Sequence, residues 1–286
     1  MKTKFLLFVI LFSFTFFIGC TNDDSKDTSP TSSTIKTEDI AINSEIDTSI
    51  DDISVIAEDQ YSLQQNTTAK IDGTERNFLP SCATITVVLT NETYTKTIDF
   101  GTEGCTLPNG NIVKGKIIIS FSKNFTTPSI TISYTLIGFY HNGKLIEGNK
   151  TITHELKSTD LLATPHPVAT HSVDVKITFP DGTVYSRIGT RVREMVEGFQ
   201  TFNWEDNVFL VSGNNTTTFP NGDKYAFTIT TPLRIAMSCR MSFPVSGIIE
   251  IEKNDEKATL DYGNDDCDKL ATITINGVVE QISLRK

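Results

Sequence analysis

His154-Glu155-Leu156-Lys157-Ser158 opens like H-E-x-x-H, in which two histidines one helical turn apart hold zinc and the glutamate acts as general base. Ser158 stands where the second imidazole is required, so the metalloprotease reading fails. "DYGNDDCD" (261–268) is richer in ligand chemistry. Asp261, Asp265, Asp266 and Asp268 put four carboxylates into eight residues, and hard oxygen donors suit Ca²⁺. The order lacks the EF-hand spacing and its glycine at position six, and a tight turn between strands explains the same text. In "GFQTFNWEDN" (198–207), period-2 alternation sets Phe202 and Trp204 on one strand face and Asn203 and Glu205 on the other. Aromatic faces beside amides and carboxylates are what carbohydrate-binding surfaces use. The competing expectation is that both rings fill the core. His166 lies in the proline-bounded "TPHPV" and His171 starts a strand. No G-x-S-x-G elbow, phosphate loop or dinucleotide fingerprint occurs. Carboxylates that meet only in the fold leave no spacing signal, so a catalytic pair of that kind stays open.

Cys82, Cys105, Cys239 and Cys267 allow three disulfide connectivities. "IDFGTEGC" (98–105) and "LDYGNDDC" (260–267) close two similar stretches, which favours Cys82–Cys105 with Cys239–Cys267 and points to two related halves. Zinc usually takes cysteines in close pairs, and these spacings are long.

The elements that must carry these residues are strands. "ATITVVLT" (83–90), "GKIIISFS" (115–122), "SITISYTL" (129–136), "SVDVKITF" (172–179), "YAFTITTPL" (225–233) and "GIIEIEK" (247–253) alternate with β-branched residues. Asn109-Gly110, Asn142-Gly143, Asp181-Gly182, Asn221-Gly222 and Asn276-Gly277 punctuate the runs, and both residue types tolerate the positive φ of tight hairpins. About a dozen strands joined by short turns predict an all-β antiparallel meander, as a sandwich, a barrel or a strongly curved sheet, with no βαβ unit. "TFPDGTVY" (178–185) and "TFPNGDKY" (218–225) echo one another as shared hairpin chemistry.

Ahead of the strands, Ile42, Ile46, Ile50, Ile53 and Ile56 or Ala57 recur at helical spacing. One amphipathic helix is therefore expected over residues 38–65, its isoleucine stripe docked on the body or offered to a partner. Net charge is −10, yet residues 21–60 hold eleven acids against Lys26 and Lys36. The body at 66–286 is near neutral and has no basic stripe, which removes nucleic acid as a partner. The acidic leader suits a stalk repelled by anionic surfaces, and "TNDDSKDTSPTSSTIKT" (21–37) reads as a disordered tether.

Lys2 and Lys4 precede an apolar run over residues 5–19, too short for a membrane span and of the length of a secretory signal. Phe17-Ile18-Gly19-Cys20 resembles the lipobox of bacterial lipoproteins, with Phe17 where that family usually carries an aliphatic residue. The resemblance implies removal of a signal peptide at 1–19, a diacylglycerol on the sulfur of Cys20 and further acylation of the new N-terminus. Residues 20–37 would then be the acylated cysteine and its tether, with several acyl chains holding the protein in a membrane. Thr21 after the cysteine implies the outer membrane. Asp23 and Asp24 resemble the export tag of surface lipoproteins in Bacteroidota, the alternative being the periplasmic face. The whole chain resembles the β-rich surface lipoproteins of that phylum, which implies location and build without an activity. Three functional classes follow as expectations. They are a non-enzymatic envelope module that is structural or binds protein, a surface glycan-binding accessory, and a hydrolase of envelope or extracellular polysaccharide. No cofactor is expected beyond the Ca²⁺ considered above.

Overall fold

A computed structural model describes residues 34–69, 79–201, 203–239, 244–268 and 270–283, excluding the side chains of residues 66–69 and Trp204. Expectations about the signal segment, Cys20 and most of the tether lie outside the described residues, as does Phe202.

Helix α1 (Thr37–Ala69) covers the span read from the isoleucine period, and at 1.5 Å per residue it is about 50 Å long. Lys36 O accepts the first bonds, from Asp39 N at 3.1 Å and Ile40 N at 3.3 Å. Glu38 and Asp39 occupy the first turn, where negative charge favours the helix dipole. The interior is a poor intrinsic helix former. Asn43, Thr48, Ser49 and Ser54 each bond back to the carbonyl four residues earlier, a habit that weakens rather than builds helices. Packing must supply the stability. Ile46, Ile53, Ile56 and Ala57 are all but fully buried, and burying an isoleucine side chain contributes about 1.5–3 kcal/mol. Asn43, Ser49, Asp52, Ser54 and Gln60 are buried as well, whereas Ala41, Ser44, Glu45, Thr48 and Asp51 stay at least partly exposed. The helix thus lies in a trough that is open along one side.

That trough is one antiparallel sheet. Its strands are β1 (Thr84–Leu89), β2 (Thr93–Asp99), β3 (Cys105–Thr106), β4 (Ile112–Ser122), β5 (Ser129–His141), β6 (Lys144–Lys157) and β7 (His166–Thr178). They continue with β8 (Val184–Glu197), β9 (Val208–Thr218), β10 (Lys224–Ala236), β11 (Ser246–Lys253), β12 (Glu256–Asn264), β13 (Leu270–Ile275) and β14 (Val278–Ser283). Sheet order follows chain order from β1 to β14, except that short β3 pairs off the path with β4. Of the three forms the sequence left open, the sandwich and the closed barrel are excluded: the described residues form one open sheet, and β1 and β14 are its two ends.

Turn chemistry behaves as the sequence predicts. Asn142 and Gly143 have φ of 47° and 80°, and Asn276 and Gly277 have 51° and 79°, the doubly positive turn that matches strand twist. The two echoing octapeptides close the same hairpin. Phe179 N donates to Thr183 O and Gly182 N to Phe179 O; Phe219 N donates to Asp223 O and Gly222 N to Phe219 O.

Register shifts bend the meander around the helix. They fall between Lys114 and Lys116, between Thr135 and Phe139, and between Ile229 and Leu233. At the first, Gly115 has φ +86° and passes Gly138 so closely that a Cβ would sit 2.0 Å from its carbonyl oxygen. Bulges raise local twist and curl a strand, and strands from β2 to β11 consequently reach the same helix. Lys96 of β2 donates to Gln60 O at 2.8 Å near one helix end, and Lys253 of β11 donates to Thr34 O at 3.0 Å just ahead of the other.

The cysteines take the connectivity favoured by the echo. Cys82 pairs with Cys105 at a Cα separation of 5.9 Å and Cys239 with Cys267 at 5.2 Å. Each closes a loop worth about 3 kcal/mol by chain entropy, and the thiols are not available to zinc.

Candidate functional site

The densest polar chemistry lies along the seam between α1 and the inner face of the sheet. The helix docks on the body by its isoleucine stripe, as the sequence led us to expect, and Glu45, Asp47 and Glu58 of its acidic sequence pair with cations of the body. Asp47 receives Arg187 Nη1 at 2.6 Å and Arg191 Nη2 at 3.0 Å, while Asn43 Oδ1 takes the other arm of Arg187 at 2.9 Å. Burial works to raise the Asp47 pKa, but the two guanidinium groups outweigh it and hold the carboxyl below its ordinary range. Glu45 pairs with Lys144 at 2.9 Å. Asp39 accepts from Tyr225 Oη, and burial raises that phenol to about 12.

Towards the far end of the seam, Glu58 Oε2 accepts from Arg193 Nη2 at 2.5 Å. Its other oxygen, Oε1, faces His154 Nε2 at 3.6 Å and His171 Nε2 at 3.9 Å. These separations exceed hydrogen-bond reach, and none of the three atoms has a hydrogen-bond partner among the described residues. Burial opposes ionisation of Glu58, yet Arg193 beside it wins and holds the pKa at about 2. Desolvation drives His171 down to about 3 and lowers His154, so at neutral pH the charge on Glu58 is balanced by Arg193 and the imidazoles are neutral. His154 stacks on Tyr61 with ring centroids 5.4 Å apart. Lys150 donates to Ile50 O at 3.1 Å and to Ser54 Oγ, and burial lowers its pKa to about 8.

A second cluster has the residue types of a hydrolase triad. Ser49 Oγ lies 3.0 Å from His141 Nδ1, and His141 Nε2 lies 2.7 Å from Asp52 Oδ2. The arrangement does not work as a nucleophile. Ser49 and His141 are 0% and 1% exposed, and Ser49 Oγ donates to Glu45 O at 3.0 Å. Asp52 also accepts from Asn109 Nδ2 and Asn111 Nδ2, which ties the β3–β4 turn to the helix. The cluster is a brace.

The sequence-derived candidates separate. Trp204 and Glu205 lie in a 3₁₀ turn (Trp204–Asp206), so the expected strand alternation is corrected. The cause is local. Asn203 Oδ1 accepts from Glu205 N, and Asp206 accepts from Thr201 Oγ1, so side chains take over the backbone pairing that a strand would need. A cavity of about 300 Å³ beside this loop is lined by Leu162, Thr164, Val196, Phe199 and Gln200. His166 opens β7 instead of lying in a loop, and it is fully buried against Glu194 at 2.9 Å. The four aspartates do not converge on an ion. Asp261 caps Gly263 N, Asp268 caps Leu270 N, and Asp265 accepts from Ser246 Oγ. Asp266 is exposed and lines a hollow of about 120 Å³ with Asp261 and Asp268. Among the described residues no group of three or more His, Cys, Asp or Glu is placed to hold a metal ion, and no helix is long and apolar enough to cross a membrane.

The inward cations were the residues that sequence reasoning missed. Their signal was present in "YSRIGTRVR", where Arg187, Arg191 and Arg193 fall on alternate positions of one strand and so share a face. Comparison with protein-family models, with curated proteins and with solved structures finds no match.

Proposed function

We propose that this chain is an acylated lipoprotein of the bacterial outer membrane whose β body serves as a non-enzymatic envelope module, structural or protein-binding. The lipobox-like text at 17–20 supports the anchor. The observation that carries the rest is how the tether meets the body. Thr34 donates through N (2.7 Å) and Oγ1 (2.5 Å) to Glu256 Oε2, Ile35 N adds a third bond at 3.2 Å, and Ile35 itself is buried. Immediately beyond, α1 fills the inner face of the sheet. A chain gripped this way passes load from an anchor into the middle of the fold, and the concave surface that a small ligand would use is occupied by the protein's own helix.

Cys20→Ser tests the anchor. The variant is expected in the soluble extract, while the wild type partitions with membranes and takes up labelled palmitate. A wild type without label and a variant still in the membrane fraction contradict the proposal. Protease added to intact cells tests the surface placement. It should degrade the wild-type body and spare the variant in which Asp23 and Asp24 are alanine, whereas equal protection of both places the protein on the periplasmic face.

A further inference from the structure

Strand β1 is a sheet edge that the fold leaves bare on both faces. All six of its residues are exposed, including Ile85, Val87, Val88 and Leu89 at 42–57%. Sheet edges are ordinarily blunted by a charge, a proline or a bulge, and Thr84–Leu89 has none of these: its register against β2 is unbroken from Thr84↔Asp99 to Leu89↔Tyr94. The opposite edge, β14, is exposed too but carries Glu280.

We propose that β1 pairs antiparallel with β1 of a second copy of this chain, about a two-fold axis at Val87. The hairpin fixes which backbone groups are free. Thr90 N donates to Thr93 O, and hydrogen-bonded pairs alternate along an antiparallel ladder. Thr84, Thr86 and Val88 therefore turn their backbone groups toward β2, and Ile85, Val87 and Leu89 turn theirs outward. Those three positions are self-complementary. With Val87 opposite Val87 of the second copy, Ile85 meets Leu89 on either side, and about six backbone hydrogen bonds form between the copies. The same three side chains share the sheet face of Ile98 and Lys96, so pairing buries apolar surface on that face. No charge on β1 opposes its own image, and another extended backbone in this register replaces the water on the outward groups pair by pair. A second copy, whose edge is complementary to this one, therefore fits better than a helical or irregular surface. Six paired residues cover far less than the about 1,200–2,000 Å² of a standard interface, so the pairing is weak and concentration-dependent. It does not depend on acylation of Cys20.

Sedimentation of the purified full chain over a wide concentration range is the test. The wild type is expected to populate a dimer as concentration rises, and Val87→Lys to weaken association by about tenfold or more, since it sets like charges opposite one another. Val279→Lys on β14 should leave it unchanged. Circular dichroism keeps a folding defect distinguishable from lost pairing. Added oxidant should crosslink Val87→Cys into a dimer much faster than Ile85→Cys, because only position 87 meets itself. A monomer at all concentrations overturns the proposal. So does equal crosslinking at 85 and 87, or a loss of association in Val279→Lys, which would mean head-to-tail joining of β1 to β14.

Discussion

Replacing Arg193 with methionine is expected to destabilise the protein by about 3 kcal/mol, although the residue is 30% exposed and lies on a strand surface. The cost arises at its partner. Glu58 is 12% exposed and faces two imidazoles that burial keeps neutral, so without the guanidinium its carboxylate loses its hydrogen-bonded counter-charge. Removing one member of a buried pair typically costs about 3–5 kcal/mol, and the partial exposure of Arg193 puts this case at the lower end. The double variant Glu58→Leu/Arg193→Met should regain most of that loss, because neither charge then remains to be desolvated. Urea unfolding of the four proteins gives the coupling directly. Two single losses that simply add would show that the pair is not coupled.

Acidification should begin to destabilise the protein above the pH at which its surface carboxylates protonate. His171 titrates at about 3 in the fold against an ordinary value of 6.5. Between those values the unfolded chain binds the additional proton, so stability falls as pH drops below about 6.5. Glu58 runs the same way lower down, losing its contribution as pH falls from 4.5 toward 2. Each tenfold difference in proton affinity between the folded and unfolded chain corresponds to about 1.4 kcal/mol, so the ceiling is about 5 kcal/mol for His171 and about 3 kcal/mol for Glu58. The two face one another, with Arg193, Lys150 and His154 also acting on His171, so these figures do not add. Melting temperature should therefore drop markedly between about pH 7.5 and pH 4.5. In His171→Leu the slope should flatten most between about pH 6.5 and 5. A wild-type melting temperature that is level over that range would show that His171 is not held neutral.

The elements were legible because each is written in local periodicity. Isoleucines at steps of four and three gave α1, and alternation with Asn-Gly and Asp-Gly turns gave the strands, whose hairpins formed where those dipeptides stand. The path of the sheet was not legible. Whether such strands stack as two layers, close or stay open depends on bulges such as Gly115 against Gly138, and a single glycine in a strand does not say which backbone will approach it. The seam was hidden for a related reason. Asp47, Asp52 and Glu58 look like solvated helix positions until Arg187, His141 and Arg193 are brought to them from about 90 to 140 residues away. The loop 198–207 misled because Asn203 and Asp206 bond to nearby groups, and that local competition outweighs the aromatic alternation.

Hydrogen exchange along α1 tests most directly whether the sheet is built around its own helix. Local stability should follow tertiary packing, so amides from Ile46 to Glu58 are expected to exchange as slowly as those of β5 to β8 and to be released with them in a single cooperative opening. If α1 exchanges within seconds while the sheet stays protected, the trough stands open for a ligand and the helix is not the fold's internal brace.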